Sequence, residues 1–314
     1  MVTRLQNKVG GSRLTLWVAI LLGVGVWLLD GLIQEKWWIQ FACFSLSIYL
    51  MAELNNINAL IRIYSRTVSS AFIILSCVAC FLFPSLEGAI AQVCFVASIL
   101  TLFNTYQDKT STGWIFYTFL LLSLVSLVEV RVFWLLPVYW ILQAFFLSAF
   151  SVRSLFASLL GIILPYWILA GVVFYRYGTD FSLYISHFAE LKEFPMPPDY
   201  STLTIPQVLT YVFVVILTFT GIIHYLRTSY HDRIQTRQYY YSLVFIDLTA
   251  LILIALQPQA YDWLIRLAII TTSPLVAHFI TLTHTRVTNI AFCVILAVSF
   301  LLTALHLWIS SFIF

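Results

Sequence analysis

Long apolar runs, separated by short segments that hold most of the charged side chains, constrain this chain more than any other feature. Only 9% of its 314 residues are charged, whereas 61% are hydrophobic. A soluble domain has about 25% charged and roughly 45–50% apolar residues, so this chain could not cover a water-facing surface. The runs are continuous rather than alternating, which excludes an outer-membrane barrel. The sequence therefore predicts an all-α, polytopic helical membrane protein, with residues 1–314 forming a single integral membrane domain.

Eleven apolar runs, bounded by charged residues, Pro or Gly, approach the length of about 20 residues that a membrane-spanning helix needs. Spans two and four are short, and either could instead be a tilted or re-entrant segment. The polar, basic start of the chain leads into a run too long for a signal peptide, which predicts an uncleaved first helix. The predicted spans are 14–33, 37–53, 67–84, 87–105, 113–129, 132–150, 155–175, 206–226, 239–257, 263–282 and 288–312.

The placement of the basic residues predicts the orientation. With a cytoplasmic N-terminus, the inner segments hold eleven Lys and Arg residues and the outer segments hold five. Cytoplasmic loops carry an excess of these residues, so we expect a protein of a Gram-negative inner membrane with its N-terminus in the cytoplasm and its C-terminus in the periplasm. Nine of the thirteen acidic residues then lie at the periplasmic face. That asymmetry is either functional or a simple consequence of excluding cations there.

Two longer polar segments interrupt the spans. Residues 176–205 form a predicted periplasmic loop, in which FSLYISHFAELKEF has the spacing of a short amphipathic helix at the membrane surface. Residues 227–238 form a predicted cytoplasmic basic loop whose Arg and Tyr residues suit the lipid headgroup zone. A third segment, NNINALIRIYSR after Glu53, predicts a short helix on the cytoplasmic surface.

Asp247 and His278 stand out among the ionisable residues inside predicted spans, where such groups are costly and are therefore candidates for function. Asp247 is near the middle of SLVFIDLTALILIAL, and His278 follows Pro274 in SPLVAHFITLTH. Asp247 could relay protons, or it could make a structural hydrogen bond to another helix. We expect Ser273-Pro274 to break the tenth span and free backbone carbonyls, which builds ion sites in some transporters and is a plain kink in other proteins.

The sequence predicts no metal site, no cofactor and no nucleic-acid partner. The six histidines form no H-x-x-x-H or E-x-x-H pair, and the predicted topology puts them at different depths. Cys77 and Cys80 form a C-x-x-C, but they lie in an apolar helix without polar neighbours, which favours a packing role. No basic cluster of the kind that neutralises nucleic-acid phosphates is present.

A set of charged residues at the predicted periplasmic ends of the spans suggests a site for a lipid-linked phosphosugar. In such a site an arginine holds the phosphate in a bidentate manner and a carboxylate acts as the acceptor base. Ordinary pairing and snorkelling at helix ends would give the same pattern. The candidates are Asp30 and Glu129 as catalytic residues, and Arg131, Asp262 and Arg266 as substrate-binding residues.

The stretch from Leu54 to about Phe174 resembles a family of uncharacterised inner-membrane proteins of Bacteroidetes. The resemblance rests on LNNINALIRIYSRTVSSAFIILSCVACFLFP, on LFNTYQDKTSTGWIFYTFLLLSLVSLVEVRVFWLLPVYWILQAF, on VRSLFASLLGIILPYWILAGVVFY and on TTSPLVAHFI. The middle of that family is similar to the helix arrangement of GT-C glycosyltransferases, which take sugars from polyprenyl phosphate carriers. The resemblance implies a GT-C-like helical bundle and a polyprenyl-phosphate-linked substrate at the periplasmic face.

The chain departs from GT-C enzymes in its first outer loop. In those enzymes this loop is long and bears the catalytic acid, whereas here it is only DGLIQEKWW, in which Asp30 or Glu35 would take that place. Because fold likeness does not transfer an activity, enzymatic function stays open. The expected role is binding or processing of lipid-linked envelope substrates. The alternatives are a structural or assembly subunit with a membrane protein partner, or a secondary transporter that uses Asp247.

Overall fold

The computed structural model describes residues 4–178, 182–192 and 198–313, and every regular element in these ranges is a helix. The α-helices are α1 (Leu5–Gly11), α2 (Thr15–Leu29), α3 (Trp38–Asn58), α4 (Thr67–Val78), α5 (Leu86–Phe103), α6 (Thr112–Ser126), α7 (Leu136–Ile141), α8 (Val152–Tyr177), α9 (Ser182–Ala189), α10 (Ile205–Thr228), α11 (Ile234–Leu256), α12 (Tyr261–Leu282) and α13 (Arg286–Ile313). Short 3₁₀ helices at Cys80–Leu82, Val130–Leu135, Glu190–Lys192, Tyr200–Thr202, Ser229–His231 and Pro258–Ala260 extend or join them, and a π-helical turn, Leu142–Phe146, follows α7.

The lengths and composition of these helices identify a helical membrane protein. Within the described ranges, six helices (α5, α8, α10, α11, α12 and α13) are long and apolar enough to cross a membrane unaided. Helices α1 and α2 pass the same test together, although they meet at an angle of 94°. The other predicted spans coincide with α3, with α4 and its 3₁₀ extension, with α6, and with the series Val130–Phe146. Six helices of this length and composition are consistent with a helical membrane protein, and the full eleven-span path stays a prediction.

Contacts between side chains show that successive segments run in alternating directions. Tyr211 near the start of α10 donates to the Leu251 carbonyl near the end of α11, and Tyr225 near the end of α10 donates to the Arg237 carbonyl near the start of α11, so these two helices are antiparallel. Ser123 of α6 donates to the Ile162 carbonyl of α8, and Ser126 farther along meets Tyr166 farther along α8, so α6 and α8 are parallel. The bundle therefore has two ends. We call them the acidic end, which carries Asp30, Glu129 and Asp262, and the basic end, which carries Arg4, Arg62 and Arg237.

Helix α12 is the centre of the bundle. Every residue from Trp263 to Thr281 is buried, and the helix packs between α4, α5, α10 and α11. Small residues allow the close approach that such packing needs. At Gly221 of α10, an added Cβ would lie only 2.8 Å from the Cβ of Leu275. A helix that is apolar all round is buried, but α12 also carries Arg266, Thr272 and His278, which must be satisfied by their neighbours.

Two local predictions are wrong. Pro274 does not break the tenth span, because α12 continues through it from Tyr261 to Leu282. The segment NNINALIRIYSR is not a surface helix: α3 runs on to Asn58 and ends at Ala59, which has a left-handed backbone, and residues 60–66 are not helical. Asn55 Nδ2 instead donates to the carbonyl of Ser65, and Ser65 Oγ donates to the carbonyl of Gly10. These two hydrogen bonds hold the segment against the bundle in a non-helical conformation.

Helix α8 begins at a capping box and packs along α6. The Ser151 hydroxyl accepts from the Ser154 N–H, and the Ser154 hydroxyl accepts from the Ser151 N–H, which satisfies two donors at the helix start. Farther along, Gly161 lies directly against the backbone of α6, where an added Cβ would be 2.6 Å from the Phe116 carbonyl oxygen. The loop that follows α8 contains α9, at the position of the predicted surface helix. Asp180, Phe181 and Glu193 of that loop lie outside the described residues.

We expect Gly161→Ala to lower the thermal unfolding temperature of the purified protein. The new Cβ would lie 2.6 Å from the Phe116 carbonyl oxygen, which cannot move aside without shifting α6. Overpacking of this kind costs about 1–3 kcal/mol. Gly171→Ala on the same helix is the matched control, since nothing lies within 4 Å of its added Cβ. The control should unfold at or slightly above the wild-type temperature, because Ala favours helix over Gly. Equal unfolding temperatures for both variants would contradict the close α6–α8 packing.

Candidate functional site

The predicted site residues at the acidic end fall into separate places rather than one site. Glu129 and Arg131 lie together in the turn after α6. Asp262 and Arg266 lie on α12, and Asp30 caps α2. Among the described residues, no hydrogen bond or ion pair joins the Glu129–Arg131 pair to Arg266. The pair is the part of the predicted constellation that the structure brings together.

Arg266 is enclosed by protein and is only 4% exposed. Its Nη2 donates to the carbonyl of Leu82 at 2.5 Å, and its Nη1 donates to Gln92 Oε1 at 3.2 Å. Gly88 lies against the guanidinium, where any Cβ would be 2.6 Å from Nε. In this arrangement Arg266 ties α12 to the 3₁₀ helix after α4 and to α5, and it is not open to a substrate. Asp262 is exposed and accepts a hydrogen bond from Gln207 of α10 at 3.4 Å.

Glu129 and Arg131 form a partly buried ion pair. Arg131 Nη1 lies 3.7 Å from Glu129 Oε1, with 13% and 26% of the respective side chains exposed. Burial raises the pKa of Glu129 above its ordinary value, and the neighbouring Arg131 charge opposes this shift without cancelling it. Glu190 on the following loop also raises this pKa, whereas His187 lowers it. A carboxyl whose pKa is raised towards neutrality can take up and release protons, which is the property that acid–base chemistry needs.

His187 of α9 fixes the loop to this pair. Its Nε2 donates to the carbonyl of Ser126 at 2.9 Å, and the Tyr166 hydroxyl donates to the same oxygen at 2.9 Å. Helix α9 thereby lies over the ends of α6 and α8, beside the turn that bears Glu129 and Arg131. Sequence reasoning missed His187 and Tyr166. A histidine in the amphipathic segment of the loop was the available signal, but its partners come from helices distant in the chain.

An apolar groove lies next to these residues. It has a volume of about 400 Å³, and Tyr166 belongs both to its wall and to the polar contacts at Ser126. Phe133 stacks on Phe188 with ring centroids 6.2 Å apart, so the groove is bounded by the 3₁₀ helix, α8 and α9. Its size is within the range of about 300–1,000 Å³ that is usual for ligand sites. The lining residues are Phe133, Ile162, Ile163, Tyr166, Trp167, Ala170 and Phe188.

Asp247 lies at the centre of the bundle and is fully buried. Its Oδ2 accepts hydrogen bonds from Thr218 at 3.0 Å and Thr272 at 2.9 Å, and these two hydroxyls are 2.8 Å from each other. Oδ1 has no hydrogen-bond partner among the described residues. The prediction that Asp247 reaches a polar group on another helix agrees with this geometry. The role of Asp247 in proton relay stays a prediction, for which the relevant atom is Oδ1.

His278 takes part in a buried cluster at the basic end. Its Nε2 lies 3.3 Å from Asp232 Oδ2, and Arg62 Nε lies 2.9 Å from Asp232 Oδ1. The ring of His224 is 5.3 Å from that of His278. Asp232 belongs to the predicted basic loop and points back into the bundle. Sequence reasoning missed Asp232 and Arg62, although an acid in an otherwise basic loop was a signal for a buried partner.

No group of three or more His, Cys, Asp or Glu side chains in the described ranges is arranged to hold a metal ion. Cys77 and Cys80 are buried near the end of α4, in agreement with a packing role. Comparison of the chain with protein-family models, with curated proteins and with solved structures finds no match. The function of the protein is therefore inferred from the geometry of its sites.

We expect the stability of the protein to fall as the pH rises through the raised pKa of Glu129. The folded protein holds this proton more tightly than the unfolded chain, so protonated Glu129 favours folding and its ionisation removes that contribution. Glu129→Gln cannot titrate and should lose this part of the pH dependence. The measurement is the thermal unfolding temperature of both proteins in detergent between pH 4 and pH 8. Parallel curves for the wild type and Glu129→Gln would show that Glu129 titrates as it does in the unfolded chain.

Proposed function

We propose that the protein binds a lipid-linked phosphate substrate of the cell envelope in the groove beside Glu129 and Arg131. The phosphate lies against Arg131, and the hydrocarbon chain lies in the groove between α8 and α9. The observation that carries this proposal is the position of a partly buried Arg–Glu pair beside an apolar groove of about 400 Å³. A lipid phosphate has the same two parts, an anionic head and an apolar chain.

Each part of the site supports one part of the substrate. Arg131 Nε is buried and has no hydrogen-bond partner in the part of the chain that the structure describes, so a phosphate oxygen would satisfy it. Trp167 presents 75% of its surface at the edge of the groove, where an aromatic side chain suits the boundary between lipid and water. Arg131 takes the part in phosphate binding that the sequence also suggested for Arg266, whose guanidinium is engaged within the bundle.

The proposed setting is an inner membrane that the chain crosses eleven times, with the N-terminus in the cytoplasm. The basic-residue count supports this orientation, and the acidic end then faces the periplasm. Six helices that can span a membrane alone, and shorter helices at the other predicted spans, are compatible with that path. We include in this proposal the GT-C-like helix arrangement that the sequence resemblance suggests.

Glycosyl transfer is the reaction class that these residues would support if the bound lipid is a sugar donor. The acceptor hydroxyl oxygen forms a bond to the anomeric carbon, and the bond from that carbon to the phosphate oxygen breaks. The lipid phosphate leaves with the electron pair and stays paired with Arg131. Glu129 takes the hydroxyl proton, for which its raised pKa is favourable. Without such chemistry, the same site would hold the lipid for a partner protein in an envelope assembly.

We expect Arg131→Ala to weaken the binding of a polyprenyl phosphate about tenfold, because a charge-assisted hydrogen bond contributes about 1.5–3 kcal/mol. Binding is measured on the purified full-length protein by native mass spectrometry with added polyprenyl phosphate. Arg176→Ala is the matched control, because Arg176 is an exposed arginine in the last turn of α8. The control should bind within about twofold of the wild type. Equal affinities for all three proteins would exclude Arg131 as the phosphate contact.

Secondary transport is a second candidate function, which one observation favours. Asp247 is fully buried near the middle of the bundle, and one of its carboxylate oxygens has no partner within residues 4–178, 182–192 and 198–313, as expected of a group that exchanges a proton during transport. Asp247→Asn separates the two candidates. It should leave polyprenyl phosphate binding at Arg131 unchanged, whereas a proton-coupled transporter would lose transport with this substitution alone.

A further inference from the structure

A second apolar groove lies at the opposite end of the molecule, between α2 and α13. It has a volume of about 430 Å³ and reaches from Lys8 to Phe300. Helices α2 and α13 each pack on α4 and leave a gap between them, which residues of α4 and α12 close from behind. Val18 of α2 and Phe300 of α13 stand at its walls and are more than half exposed. The groove therefore opens sideways, towards the hydrocarbon of the bilayer.

Helix α1 closes the groove at the basic end. It meets α2 at 94°, so it lies roughly parallel to the membrane surface when α2 crosses the membrane. Gln6 anchors it to the end of α12, where its Nε2 donates to the Ile280 carbonyl at 2.8 Å and to Thr283 Oγ1. The Asn289 side chain accepts from the Gln6 N–H and ties α1 to α13. The groove thus has a fixed polar end rather than a mobile one.

The charge at this end is positive. Lys8 lines the groove from α1, and no residue of the lining is acidic. Residues 1–14 include Arg4, Lys8 and Arg13 and no Asp or Glu. Among the described residues, none of the ion pairs involves Lys8. An exposed ammonium at the level where α1 lies would meet the headgroups of the membrane, and the apolar groove below it would meet an acyl chain.

The geometry points to a binding site for one anionic phospholipid of the membrane leaflet on the side of the N-terminus. One acyl chain fills the groove between α2 and α13, and the phosphate lies against Lys8. This site is separate from the groove beside Arg131, which is at the acidic end, and it does not depend on the proposed function. The acyl chain of the bound lipid fills the gap that the side chains of α2 and α13 leave between the two helices.

Replacement of groove and headgroup residues tests this site in the full-length protein, purified in a mild detergent and examined by native mass spectrometry. Val18→Trp places a large side chain in the groove, and Val294→Trp is its control on α13, since both valines are 54% exposed and only Val18 lines the groove. We expect one phospholipid adduct on the wild type and on Val294→Trp, and at least a fivefold lower occupancy on Val18→Trp.

Lys8→Glu tests the headgroup contact, with Lys109→Glu as an exposed control in the loop between α5 and α6. With phosphatidylglycerol added, Lys8→Glu should show at least threefold lower occupancy than Lys109→Glu, whereas phosphatidylcholine should not distinguish them as strongly. Equal occupancy on Val18→Trp and Val294→Trp would overturn the site. A neutral isoprenoid adduct, or a dimer of the chain that is lost with Val18→Trp, would overturn the assignment to a phospholipid.

Discussion

The rest of the structure depends on satisfying the polar side chains of a helix that the other helices enclose. Every residue of α12 from Trp263 to Thr281 is buried, and Arg266, Thr272 and His278 are among them. An unpaired polar group in a membrane interior is expensive. Arg266 therefore contacts α5 and the 3₁₀ helix after α4, Thr272 contacts α10 and α11, and His278 contacts Asp232 of the loop before α11. These contacts determine which helices surround α12.

Buried polar side chains that join helices differ from polar side chains that a ligand can reach. Arg266 in the bundle interior illustrates how a plausible phosphate ligand becomes a tie between helices, through its bonds to Leu82 and Gln92. The Glu129–Arg131 pair differs because it is partly exposed and lies at the start of the 3₁₀ helix whose Phe133 lines a groove. A lipid-facing groove at each end of the molecule fits a protein whose ligands arrive from the bilayer rather than from water. The two grooves differ in their polar residues, a Glu–Arg pair in one and Lys8 in the other.

The sequence predicted the helical class and the approximate bounds of the helices because apolar length is a local property. Helices α8, α10 and α12 lie within a few residues of the predicted spans. It did not predict that Arg266 and Glu129 would separate, because their positions depend on which helices pack together. The continuity of α12 through Pro274 also follows from tertiary packing. Gln92, Asp232 and His187 were missed for a related reason: their partners are 174, 46 and 61 residues away.

The central claim, that a lipid phosphate binds at Arg131, is tested most directly by locating the ligand. The measurement is an electron cryomicroscopy structure of the full-length protein in lipid nanodiscs with added polyprenyl phosphate. The account predicts phosphate density within hydrogen-bond distance of the Arg131 guanidinium and chain density between α8 and α9, along Phe133 and Tyr166. Chain density confined to other surfaces, with an empty groove beside Arg131, would contradict it.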